Sequence, residues 1–66
     1  MREQMIEALR KYAEGNIAMH KANVEVYLNR PAGIGEHPQV MEELTEQLKK
    51  MAEWDDVVNM IDEYLG

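Results

Sequence analysis

An all-α fold, built as an antiparallel helical hairpin, is what this 66-residue sequence predicts, and three observations predict it. Proline and glycine cluster in only one stretch, "NRPAGIGEHPQ" from Asn29 to Gln39. The segments on either side contain no proline and are rich in Glu, Ala, Leu, Met, Lys and Arg, which are good helix formers. Both segments also repeat their apolar residues at helical spacing. One domain follows, residues 1–66, with a helix over about 2–29, a loop over about 30–37 and a helix over about 38–65.

In the first helix, Glu3, Glu7, Arg10, Glu14, Lys21 and Glu25 fall along one line and form a solvated face. The opposite sector carries Met5, Leu9, Tyr12, Asn16, Met19, His20, Asn23 and Tyr27, flanked by Ile6, Ala13, Ile17 and Val24 and by Ala8 and Val26. It spans roughly 200°, against the ~100° that suffices for one neighbour, so a single partner helix cannot cover it. Gly15 and Asn16 could close a helix, but the charged face keeps its phase from Glu14 to Lys21, which favours a tolerated mid-helix glycine.

The loop follows from backbone chemistry. Pro31 pushes Arg30 out of the helical region, Gly33 and Gly35 permit reversal around Ile34, and Pro38 suits the first turn of a new helix. Ile34 reads as a plug for the end of the helix pair. The alternative is an anion nest near Arg30 and His37, which lacks the Lys and Ser/Thr of a phosphate loop.

The second helix opens with a stripe of Val40, Met41, Leu44, Leu48, Met51 and Ala52, opposite Glu42, Glu46, Lys49 and Glu53. At "EWDD" the phase shifts by about 100°, more than the ~20° per heptad by which a straight helix drifts. A kink, or a short third helix after Trp54 with Asp55 or Asp56 as its N-cap, is expected there. A hairpin centred on Gly33 sets residue i beside residue 67 − i, so Trp54 approaches Ala13 and Gly15, Ile6 meets Ile61, Leu9 meets Val58, and Asp62 and Glu63 neighbour Arg2.

So short a chain buries only about 60% of its unfolded surface, and without Cys it has no disulfide to help. Self-association of two hairpins into an antiparallel four-helix bundle, a homodimer, is the expected remedy. The formal charge of -6 is uneven: residues 1–30 carry five basic and four acidic side chains, residues 31–66 two and nine. No basic stripe offers itself to phosphates, so direct nucleic-acid binding is not expected. No apolar run approaches the ~18 residues of a membrane span, and the expected compartment is the cytoplasm.

The polar row Tyr12, Asn16, His20, Asn23 and Tyr27 runs along the buried sector of the first helix. It reads as a hydrogen-bonded network setting register, with a ligand groove in the bundle core as the alternative. Catalysis is not expected: the chain has no Ser or Cys, and Thr45 is its only aliphatic hydroxyl. No metal or cofactor is expected either, because the positions three before His20 and His37 hold Ile17 and Ile34 rather than Glu. Trp54, Val57, Met60, Ile61 and Tyr64 compose an aromatic and aliphatic cluster ringed by acids, the expected contact for a partner protein.

The run "HKANVEVYLNRPAGIGEHPQVMEEL", His20 to Leu44, resembles a segment of small proteins of unassigned activity encoded by marine tailed bacteriophages, including those infecting cyanobacteria. The resemblance implies a viral accessory protein acting in a host cytoplasm and transfers no catalytic residue. The expected function is therefore non-enzymatic: self-association together with binding of a host or viral protein. An acidic nucleic-acid mimic that blocks a DNA- or RNA-binding protein is the alternative.

Overall fold

The computed structural model describes residues 1–29 and 39–66, so the expected Ile34 plug and the anion nest at Arg30 and His37 lie outside the described residues. Two helices make up the fold, α1 (Arg2–Leu28) and α2 (Val40–Tyr64), packed side by side and antiparallel. No strand occurs among the described residues. The extents of 50 × 15 × 11 Å are those of one layer, two helices wide, so each helix keeps a solvent-facing side.

Helix α1 runs straight through Gly15, at which no positive φ occurs. Asn29 closes it at φ -101° and ψ 19°, with its backbone N–H and its Nδ2 both donating to the Glu25 carbonyl at 3.0 and 2.8 Å. An asparagine amide competes well for such an end carbonyl.

Helix α2 is continuous through Trp54, Asp55 and Asp56, which corrects the expected short third helix, and its seam needs no kink there. The reason lies in which residues face α1. The buried and half-buried positions of α2 are Val40, Leu44, Gln47, Met51, Trp54, Val58 and Ile61, at spacings of four and three throughout. Those of α1 include Ile6, Arg10, Ala13, Ile17, His20, Val24 and Tyr27, with the same spacing. Each is an uninterrupted heptad seam, so the pair forms a short antiparallel coiled coil. The phase shift belongs to the outer sides: Met41 and Leu48, expected inside, project from one flank of α2, and Val57, Met60 and Tyr64 from the other. Polar Gln47 at a seam position hid the continuity.

Arg10, expected in solvent, is instead a half-buried seam residue whose guanidinium pairs with Asp62 at 2.5 Å. The hydrogen bond that the Arg10 guanidinium donates to Asp62 raises the Arg10 pKa above its ordinary value, with smaller help from the charges of Asp62, Glu14 and Glu7 against a desolvation cost. The register is the expected one: His20 bonds Gln47, and the Arg2 guanidinium donates to the Leu65 carbonyl at 2.9 Å, partner numbers summing to 67 in both. That second bond answers a local conflict. Neither helix has a basic residue in its last turn, and Arg2 brings a positive charge to the negative end of the α2 dipole from across the pair.

The enclosed core is small. Among the described residues only Ala13, Val40 and Ile61 are buried, at 0, 7 and 4% exposure.

Candidate functional site

One step before each α1 seam position stands a second heptad series: Met5, Leu9, Tyr12, Asn16, Met19, Asn23 and Val26. A shift of one residue turns a side chain about 100° round the helix, so this series points out of the plane of the hairpin. Met5, Leu9, Tyr12, Met19 and Val26 are between half and two-thirds exposed. The wide apolar sector is therefore real but only half covered. Helix α2 takes its edge, and its centre line stays open.

The positions one step before the α2 seam extend this open face. Because the helices are antiparallel, stepping back one residue rotates both toward the same side of the pair. In the first half of α2 these positions hold Glu43, Glu46, Lys50 and Glu53; in the second they hold Val57, Met60 and Tyr64. All three of the latter are at least 40% exposed. The face thus has an apolar end, where Met5 and Leu9 lie level with Val57, Met60 and Tyr64, and a mixed polar end nearer the loop.

The expected partner cluster divides along this geometry. Ile61 is buried in the seam and Trp54 is half-buried, with its ring edge-on to Tyr12 at a centroid distance of 5.4 Å and an interplanar angle of 85°. Val57, Met60 and Tyr64 remain on the open face. Met5 and Leu9, left out of that cluster, share the face; the signal that finds them is the second heptad series itself.

The polar row also divides. His20 and Tyr27 belong to the seam, Tyr12, Asn16 and Asn23 to the open face. His20 Nδ1 donates to Gln47 Oε1 at 2.7 Å, and Asn23 Nδ2 donates to the same oxygen at 3.1 Å. One acceptor on α2 thereby fixes two donors on α1, a polar layer that resists sliding of one helix along the other. Asn16 Nδ2 donates to the Tyr12 carbonyl one turn back.

No group of three or more His, Cys, Asp or Glu side chains able to hold a metal ion occurs among the described residues. The Thr45 hydroxyl donates to the Met41 carbonyl at 2.8 Å, an intrahelical bond. A shallow hollow beside it, lined by Met41, Glu42, Glu43 and Glu46, spans a single stretch of α2 and presents carboxylates to solvent. The described helices include none long and apolar enough to cross a membrane.

No protein-family model, curated protein or solved structure matches the chain.

Proposed function

We propose that this chain is a non-enzymatic interaction protein that self-associates and binds another protein, with the open heptad face as its working surface. The observation that supports this most is the second series on α1, which is apolar enough to bury and regular enough to seat a helix, yet is left uncovered by α2. Helices recognise one another through such i, i+3, i+4, i+7 anchors. Met5, Leu9, Val57 and Met60 expose about half their surface, so covering each contributes about 1 kcal/mol before association costs. A role as a phage accessory protein in a host cytoplasm is part of the proposal and rests on the resemblance of residues 20–44 alone.

A nucleic-acid mimic is the second reading, favoured by the eight acidic residues of α2, all exposed. Salt separates the two, because screened charge contacts weaken steeply with ionic strength and apolar ones do not. The test is retention of bacterial proteins on immobilised chain at low and high salt, repeated with Leu9→Glu. The interaction reading expects salt-tolerant retention that Leu9→Glu removes. Retention that disappears with salt and ignores Leu9→Glu contradicts it and favours mimicry.

A further inference from the structure

We infer that the open face is covered by the same face of a second copy of this chain, with the two-fold axis running along the length of the hairpin so that α1 of each copy lies on α2 of the other. This deepens the self-association proposed above and rests on the same open face.

Surface area argues for a partner of this size. A folded monomer of 7.7 kDa ordinarily exposes about 4,300 Å². This hairpin exposes 5195 Å². The excess is close to the ~800 Å² that each partner contributes to a standard interface.

Charge and pattern argue for a copy and for this orientation. Helix α1 carries four basic and four acidic side chains, whereas α2 carries two basic and eight acidic. Two hairpins can meet face to face in two ways. A two-fold axis across the hairpin would lay α2 on α2, opposing two helices of charge -6 and setting the apolar end of each face on the polar end of the other. An axis along the hairpin lays neutral α1 on acidic α2, keeps the two acidic helices diagonal, and brings apolar end to apolar end.

Rotation about that second axis leaves every residue at its own height. The intermolecular register is therefore dictated by the intramolecular one. The seam pairs residues whose numbers sum to 67 or 68, so each open-face residue of one copy lies between partner residues that complete sums of 65 or 66 on one side and of 69 on the other. Met5 then faces Met60 of the partner subunit, and Leu9 faces the partner's Val57. Further along, Tyr12 meets the partner's Glu53, Asn16 the partner's Lys50, and Asn23 the partner's Glu43. Toward the apolar end, apolar positions meet apolar ones, and further along most hydrogen-bonding groups meet charges that they can bond; Met19 against the partner's Glu46 and Val26 against the partner's Gln39 are the mismatches. The opposite orientation yields no such matching.

Because the chain has no cysteine, single-cysteine variants test the pairing cleanly. Met5→Cys and Met60→Cys chains are mixed, unfolded and refolded together, then oxidised; a disulfide requires Cα atoms within about 7 Å. The arrangement expects a covalent heterodimer from this mixture and from the Leu9→Cys with Val57→Cys mixture. It expects none from Met5→Cys with Val26→Cys, residues that only the transverse axis brings together. Circular dichroism of each variant confirms that the exposed substitutions keep the hairpin helical. Cross-linking of Met5→Cys to Val26→Cys, or no covalent dimer from either expected pair in helical protein, overturns the arrangement. If salt-tolerant retention by Leu9 persists in that event, the face binds protein but not its own copy, and only this inference fails.

Discussion

Truncating Trp54 is the perturbation whose size the fold sets most directly. The register seats this indole opposite Ala13, which has no exposed surface, and it stacks edge-on against Tyr12. A tryptophan of this kind removes roughly 150 Å² from water, or ~4 kcal/mol at about 25 cal/mol per Å². A denatured chain already hides part of that area, which lowers the figure to ~2.5 kcal/mol, and loss of the aromatic pair adds about 0.5–1 kcal/mol. Trp54→Ala should therefore cost about 3 kcal/mol, comparable with the whole stability of a scaffold this small. Ala13→Leu should cost about 1–3 kcal/mol by overpacking against the indole. In the Trp54→Ala background the same leucine enters vacated space, so the two changes should couple by at least ~1 kcal/mol. Urea denaturation followed by circular dichroism, at one fixed protein concentration because dimerisation is linked to stability, measures all four chains of the cycle. A Trp54→Ala cost under about 1 kcal/mol, or strict additivity with Ala13→Leu, would refute the seam as drawn.

Other outcomes follow from the same geometry. Gly15→Ala should stabilise the protein by about 0.5–1 kcal/mol and raise its melting temperature by a few degrees, since the helix is regular there and an added Cβ meets nothing within 4 Å. Gln47→Ala should cost about 1–2 kcal/mol in urea denaturation by leaving the His20 and Asn23 donors without their shared acceptor. Arg10→Asp should lower the denaturation midpoint, and the exchanged pair Arg10→Asp with Asp62→Arg should recover it. Because the folded pKa of Arg10 is raised, its contribution is complete below the unfolded value and is lost only as pH climbs through the folded one, far above neutrality. The Arg10 guanidinium should accordingly leave stability flat with pH across the neutral range.

The hairpin, its register and the excess apolar surface were legible in the sequence because each depends on strong local signals: proline and glycine confined to one joint, and apolar residues at helical spacing. The seam itself was not. Arg10 and Gln47 occupy positions that pattern reading assigns to solvent, since each satisfies its polar group through a partner distant in sequence, Asp62 and His20 respectively. Met41 and Leu48 mislead in the opposite direction, as apolar residues left largely exposed on a flank. Those four residues shift the apparent seam, so that a continuous helix reads as broken at Trp54. Which residues of the wide sector stay open was not legible either, because that depends on the edge that α2 covers.

Copies of this chain are proposed to cover one another, and sedimentation equilibrium of the unmodified protein over a wide concentration range measures that directly. It should return twice the 7.7 kDa chain mass at high concentration, falling toward one chain on dilution, with Leu9→Glu shifting the transition to much higher concentration. A mass of one chain throughout, from protein that remains fully helical, would contradict it.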